Sequence, residues 1–356
     1  MKVLKSVERS GKKFLIRLIK IFIKQENFGA SDLDTSKVDR IIIIHLDRKV
    51  GNLILSTPLI EATKKIFVNA SIDILIARQV KVLLESNPYL SNIFEFNHIV
   101  YIKNPLKLFQ LVSSLRKHNY NIAIESSNPS GTSFLNSFVT YLTKAKYRIG
   151  FTGGGGELFT NIHVAPNNKD HYYLSKQKLV NIFSSNIPTC RPKIFTNQKE
   201  VETFRQNIQR KFNLQSDKIL IGIWIGARHY KKWDINNFIS VYRSIIKETG
   251  YFPILLFGIE ECNEFDNINQ NEYNSIYFDD LGRLKNFISC CGYFICGDTG
   301  PLHYAYSLGI PTIGIFLQDN FNTYGYSDNK NNFIVKPNGT EMMVHEIVNI
   351  CKSLNT

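Results

Sequence analysis

The stretch Tyr293–Phe316, YFICGDTGPLHYAYSLGIPTIGIF, joins an apolar strand to a turn of small residues and a helix start. Pro301 stands where the first helical turn begins, a position that tolerates its missing N–H group. Free amide groups and the helix dipole favour an anion there, so the stretch predicts an anion site at the carboxyl edge of a sheet. His303 falls in the first turn and could donate to that anion, or it could be a core histidine. Taken alone, Asp298 and Thr299 also fit an ordinary helix cap.

Apolar strands alternate with amphipathic helices on both sides of that stretch. The first strand is IIIIHL, Ile41–Leu46, and the alternation restarts after the proline-containing segment Ser184–Thr196. Such alternation is typical of parallel sheets covered by helices on both faces. A chain of 356 residues is longer than one core usually serves. We therefore predict an α/β protein with two doubly wound, Rossmann-like domains facing a cleft, with residues 40–190 and 191–356 as the domains and 1–39 as a basic helix and tether.

Composition narrows the class of protein. With 44% hydrophobic and 21% charged residues, the chain is typical of a folded globular protein. Its six cysteines include no C-x-x-C pair and no cluster at zinc spacing, which indicates a reducing compartment and no metal. The net charge of +13 comes with no nucleic-acid recognition motif, so charge alone does not support nucleic-acid binding.

Much of the positive charge lies in residues 1–24, which hold eight Lys or Arg against one Glu. On a helix over 13–24, the basic residues fall on one face and the apolar residues on the other. Arg17 and Lys20 would each cost roughly 2.5–3.5 kcal/mol at a bilayer centre, which argues against a spanning helix. The absence of a small-residue cleavage site argues against a signal peptide. We predict a helix lying on an anionic membrane surface, with a helix packed on the protein body as the alternative.

Three segments together resemble one enzyme family. Gly297–His303, GDTGPLH, resembles the motif of glycosyltransferase family 9, the bacterial heptosyltransferases. Leu46–Leu59, LDRKVGNLILSTPL, is similar to the family's first strand, loop and helix, and Gly226–Trp233 matches the loop in which family members carry a lysine two residues before a tryptophan. The resemblance runs in order from Arg40 to the C-terminus.

The resemblance implies a GT-B fold, with the nucleotide-sugar donor on the C-terminal domain and the acceptor on the N-terminal domain. It also implies sugar transfer with inversion and without a metal. Lys231 would supply the positive charge for the leaving group, unless it is a solvated loop lysine. Glu261, or less readily Glu260, would accept hydrogen bonds from ribose hydroxyls, although both could be solvated glutamates. The implied donor-binding positions are Gly226, Glu261, Asp298, Thr299, Gly300 and His303.

One position departs from the family. Its first loop usually reads Gly-Asp, the Asp being the presumed general base, whereas this chain reads Gly51-Asn52 beside Arg48 on the acceptor side. An amide has no useful basicity near neutral pH, so Asn52 can orient a hydroxyl but cannot deprotonate it. Asp47 or Glu125 could serve as the base, although Asp47 could equally be a structural carboxylate paired with a neighbouring basic residue.

The combined expectation is a peripheral membrane enzyme on the cytoplasmic face of the inner membrane. It would move heptose or a related sugar from a nucleotide-diphosphate donor such as ADP-heptose to the lipopolysaccharide core, with no further cofactor. Two alternatives stay open. The acceptor could be a protein, or the chain could bind nucleotide-sugars with little turnover because of Asn52.

Overall fold

The computed structural model describes residues 26–129, 133–153, 155–167, 170–184, 186–228, 231–326, 332–337 and 339–353. The predicted basic helix lies outside this part of the chain. No helix within the described residues is long and apolar enough to cross a membrane.

The first sheet has six parallel strands in the order β3-β2-β1-β4-β5-β6. Isoleucines of its central strand are almost completely buried because helices cover both faces. The strands are β1 Arg40–His45, β2 Ser71–Ala77, β3 Asn92–Phe96, β4 Ile122–Glu125, β5 Tyr147–Phe151 and β6 Ile162–Val164. The helices along this half are α1 Val50–Ile54, α2 Thr57–Ile66, α3 His98–Lys103, α4 Pro105–Arg116, α5 Phe134–Leu142 and α6 Tyr172–Asn181.

The second sheet repeats this topology in the order β12-β11-β10-β7-β8-β9, again with every pair parallel. Its strands are β7 Leu220–Trp224, β8 Phe252–Phe257, β9 Ser275–Tyr277, β10 Tyr293–Gly297, β11 Thr312–Ile315 and β12 Asn332–Val335. Its helices are α7 Gln198–Phe212, α8 Ile235–Thr249, α9 Cys262–Asn267, α10 Leu281–Cys290, α11 Gly300–Ser307, α12 Phe321–Tyr324 and α13 Thr340–Ser353. The predicted pair of doubly wound sheets is confirmed.

The sequence predicts a helix over 53–67 that is interrupted or restarted at Pro58, and this is confirmed: two helices are present, with Pro58 in the first turn of the second. Other local details differ from the sequence expectation. The sequence pattern predicts a helix near 80–85, whereas the structure has a 3₁₀ helix there, Arg78–Leu83. The pattern did not reveal the short strands β5, β6, β9 and β12, because three to five residues carry too little periodicity. It also did not reveal helix α6, because polar and apolar side chains of that helix are buried alike and leave no amphipathic pattern.

The two halves meet at the carboxyl ends of their sheets. In each sheet the strand order reverses between the two central strands, β1 and β4 or β7 and β10, where doubly wound proteins bind ligands. Helix α1 packs against helix α11 at this point. A Cβ atom added to Gly51 would lie 2.7 Å from His303 Cδ2, so the glycine permits this close approach. Of the three clusters of buried apolar side chains among the described residues, one spans both halves, and the division at 190/191 stays a prediction.

Candidate active site

Asp47 follows β1 and is held by its own loop. The Lys49 amide donates to Asp47 Oδ1 at 2.9 Å, and Asn52 Nδ2 donates to Oδ2 at 2.5 Å. Burial pushes the pKa of Asp47 upward, but these hydrogen bonds outweigh it and the net shift is downward. No basic side chain of the described residues forms an ion pair with Asp47, and Arg48 is exposed. Asp47 is therefore an ionised carboxylate oriented by Asn52.

Glu125 ends β4, the strand next to β1, and is completely buried. Neither of its carboxylate oxygens has a hydrogen-bond partner of ordinary geometry among the described residues. Burial raises its pKa, while Ser127 and Lys176 oppose the rise. Because its carboxylate is closed off from solvent, Glu125 is placed behind the cleft surface, whereas Asp47 is only partly buried.

Lys176, on α6, is a residue that the sequence reasoning missed. Its side chain is fully buried, and Nζ donates to the backbone carbonyls of Ser126, at 2.8 Å, and Ser127. Burial lowers the pKa of Lys176 to about 7, against the opposing charges of Glu125 and Asp47. The sequence around Lys176 does not indicate that its charge is buried, because the lysine lies in a helix without a recognisable motif.

His45 forms a buried ionisable cluster with Glu125 and Lys176, beside the partly buried Asp47. Its Nδ1 lies 2.9 Å from the Ser126 carbonyl, which Lys176 also contacts. Burial lowers the pKa of His45 to about 4, and the nearby lysine adds to this effect. The imidazole is neutral at physiological pH, so Lys176, which is charged below about pH 7, is the group of the cluster that can carry a positive charge.

On the opposite side of the cleft, Lys231 is fixed by an ion pair. Its Nζ lies 2.5 Å from Asp298 Oδ2, and Asn320 Nδ2 donates to the same oxygen at 2.7 Å. The lysine side chain is 28% exposed, and its ammonium lies 5.9 Å from the centre of the Tyr324 ring. Lys231 is thus a positioned, accessible cation rather than a freely solvated one.

Helix α11 begins at Gly300, two residues after Asp298. Thr299 is its N-cap residue with an extended backbone, but its side chain does not cap the helix amides. The Gly300 backbone lies against α1, with a Cβ added to Gly300 placed 3.6 Å from the Gly51 amide nitrogen. The start of α11 therefore faces the acceptor-side loop.

His303 lies one turn into α11 and is buried. Its Nδ1 lies 2.8 Å from the Tyr326 hydroxyl. Burial lowers the pKa of His303 to about 4, although Asp298 opposes the shift. The side chain is a neutral imidazole that can offer a hydrogen bond but no charge.

Glu261 and Glu260 have different environments. Glu261 is 3% exposed, and a Cβ added to Gly226 would lie 2.5 Å from its Oε2 and 2.8 Å from Trp224 Nε1. Burial raises the pKa of Glu261. Glu260 is exposed and pairs with Arg228 at 3.0 Å. Of the two, only Glu261 lies in the packed corner beside Gly226.

A cavity of about 500 Å³ lies beside these residues, between the loop after β11 and the start of α6. His171, Tyr173, Phe321, Tyr326 and Lys336 are among the residues that line it. None of the sequence-predicted site residues lines the cavity, although Tyr326 joins it to His303. Within the described residues, no group of three or more His, Cys, Asp or Glu is arranged to hold a metal ion.

Comparisons of the sequence with known proteins all point to one enzyme family. The sequence model of glycosyltransferase family 9 (heptosyltransferase) matches residues 108–349. Lipooligosaccharide heptosyltransferase 2 of Campylobacter jejuni is 23% identical over 301 residues, which cover 82% of this chain and 85% of the relative.

Solved structures show the same fold. A family 9 glycosyltransferase from Veillonella parvula has a TM-score of 0.72 at 19% identity, covering 90% of this chain and 91% of its own. The E. coli ADP-heptose LPS heptosyltransferase II has a TM-score of 0.69 at 18% identity, covering 88% and 98%. The likeness confirms the predicted GT-B fold.

Proposed function

We propose that the chain, which belongs to glycosyltransferase family 9, transfers heptose or a related sugar from a nucleotide-diphosphate donor to the lipopolysaccharide core. The transfer would invert the configuration at the anomeric carbon and would need no metal. The contact between α1 and α11 carries the proposal. It brings the loop of Asp47 to the start of a helix whose first turn suits an anion. A carboxylate base and an anion site at one junction are what glycosyl transfer from a diphosphate requires.

On the donor side, the start of α11 and Lys231 would stabilise the diphosphate leaving group. Before the donor binds, the ion pair with Asp298 holds the Lys231 ammonium in place. A bound diphosphate would then compete with Asp298 for that ammonium. Neutral His303 would add a hydrogen bond without charge. Glu261 would accept hydrogen bonds from the ribose hydroxyls of the donor, because it is the carboxylate packed beside Gly226.

On the acceptor side, Asp47 would remove the proton of the attacking hydroxyl. The acceptor oxygen forms a bond to the anomeric carbon from the face opposite the diphosphate, the bond from that carbon to the diphosphate breaks, and Asp47 keeps the proton. Asn52 would orient the Asp47 carboxylate through the hydrogen bond that it donates. Glu125 is too deeply enclosed to meet an acceptor hydroxyl.

Two observations support the lipopolysaccharide acceptor and the membrane location. The Campylobacter relative is named a lipooligosaccharide heptosyltransferase, and residues 1–24 have the composition of a helix that binds an anionic membrane surface. The enzyme would work as a peripheral protein at the cytoplasmic face of the inner membrane, where such a glycolipid is available.

The test is transfer of labelled sugar from a panel of nucleotide-sugars to membranes that contain truncated lipopolysaccharide. We expect label in the lipid extract, with ADP-heptose as donor, and no loss of rate when a chelator is added. Label in a protein band would instead support a protein acceptor. Donor binding by calorimetry without any transfer would support a binding protein without turnover, and a strict metal requirement would contradict the mechanism.

Lys176→Met is expected to move the acid limb of the pH–rate profile to higher pH. Asp47 must be ionised to act as a base, so activity is present above its pKa and is lost as pH falls through it. Lys176 is charged below about pH 7, and the charge of Asp47 raises its pKa. Because this interaction is mutual, removing the cation should raise the pKa of Asp47. The measurement is kcat/KM against pH.

Lys178→Met is the matched control, because Lys178 lies on the same helix and pairs with Asp170 nearer the surface. Its profile should match that of the parent, and Lys176→Arg should keep much of the normal acid limb. A loss of activity that is equal at every pH in Lys176→Met would point to a purely structural role.

A further inference from the structure

Helices α3 and α4 present an apolar surface to solvent. Ile99 on α3 is 65% exposed, and Leu106 and Phe109 on α4 are 74% and 71% exposed. Eight large hydrophobic side chains of the described residues are exposed, and these three lie within an eleven-residue span. Scattered exposed apolar residues need no explanation, but a local concentration indicates an interaction site.

The internal packing of α4 does not account for this surface. Val112 and Leu115 are its buried residues, and they hold the helix to the body of the protein. Leu106 and Phe109 lie near the start of the helix and remain open. The outward positions, where a helix on a protein surface normally carries polar side chains, are therefore partly apolar.

The same surface is basic. Residues 98–117 contain Lys103, Lys107, Arg116 and Lys117 and no Asp or Glu. Lys103, Lys107 and Lys117 are exposed, and none of these lysines forms an ion pair with a described residue. The preceding acidic residue, Glu95, is already bonded by Lys81. The positive charge is available to an external anion.

This surface adjoins the acceptor-side loop. Helix α3 begins just after the carboxyl end of β3, at the same edge of the sheet as Asp47. Burial lowers the pKa of His98, the first residue of α3, and the charge of Arg48 adds to this effect, so the helix start lies beside the loop of Asp47. A partner bound to α3 and α4 would therefore lie next to the proposed acceptor entrance.

We propose that the α3–α4 surface, formed by Ile99, Leu106 and Phe109 with Lys103 and Lys107, docks on an anionic lipid bilayer. Exposed leucine and phenylalanine beside lysines match an interfacial helix, whose apolar side chains enter the acyl boundary while the lysines meet lipid phosphates. Two copies of so basic a surface would repel each other, which disfavours self-association. The inference rests on the proposed function only in that the acceptor lies in the membrane.

The experiment measures binding of the full chain to vesicles of phosphatidylethanolamine with phosphatidylglycerol, and to phosphatidylcholine vesicles. Leu106→Ser with Phe109→Ser should weaken binding to the anionic vesicles by more than about tenfold, and each of Lys103→Gln and Lys107→Gln by about fivefold. Ile246→Ser with Met342→Ser is the matched control, because both side chains are exposed, at 50% and 62%, on helices of the second half. The control should bind like the parent.

Unchanged vesicle affinity in the Leu106/Phe109 variant would overturn the proposal, as would a loss of dimerisation without a loss of vesicle binding. Activity separates this proposal from the proposed function. The variant should transfer sugar normally to a deacylated, water-soluble core acceptor and poorly to the same core embedded in vesicles. If the parent transfers to neither acceptor, the proposed function fails, while the vesicle measurement still decides the docking surface.

Discussion

Asp47→Asn is expected to lower kcat by about 10²–10⁴ near neutral pH while donor affinity stays unchanged. The substitution keeps the shape of the side chain but removes the partly exposed carboxylate that follows β1. The Lys49 amide can still donate to the remaining carbonyl oxygen, so the loop should keep its conformation. Steady-state kinetics measures the rate, and calorimetry with the nucleoside diphosphate measures donor binding.

Variants at Asn52 distinguish an orienting amide from a missing base. Asn52→Ala should cost less than Asp47→Asn, because it removes a hydrogen bond and leaves the carboxylate. It should also raise the pKa of Asp47, because the Asn52 hydrogen bond lowers it. A gain in activity with Asn52→Asp, together with full activity in Asp47→Asn, would show that Asp47 is not the base and that the native chain lacks one.

The fold could be predicted because the sequence patterns that specify its strands and helices lie within short segments of the chain. Central strands such as Ile41–Leu46 are almost continuous apolar runs, and several are followed by helices with clear periodicity. The candidate site residues Asp47, Gly226 and Asp298 could also be located, because they follow strands whose carboxyl ends must meet at one edge of a sheet. Topology then determines which loops face the cleft.

The buried charges could not be predicted because their partners are distant in sequence. Lys176 contacts the carbonyl of Ser126, which lies fifty residues earlier in the chain, and no sequence pattern around either residue indicates this contact. The choice between Glu260 and Glu261 likewise depends on burial, since both are acidic residues at the start of a helix. Sequence alone also gave His303 an anion-binding role without showing that its environment keeps it neutral.

Lys231→Ala is expected to lower kcat/KM by about 10–150-fold, because a charge-assisted contact to the leaving group is worth about 1.5–3 kcal/mol. The structure adds a second consequence. Without Lys231, the buried Asp298 keeps Asn320 as its donor but loses its cation. A carboxylate left beside the anion site would repel a diphosphate, so donor affinity should fall together with the rate of transfer.

Two comparisons separate these contributions. Arg228→Ala removes one positive charge from the same loop, but Arg228 is 67% exposed and pairs with Glu260, so its loss should change donor affinity little. Lys231→Ala combined with Asp298→Asn removes the uncompensated carboxylate and should recover part of the donor affinity but not the rate, because the cation that meets the leaving group is still missing. If Lys231→Ala bound donor and turned over like the parent, the anion site would lie elsewhere, and the cavity lined by Tyr326 and Lys336 would be the next place to test.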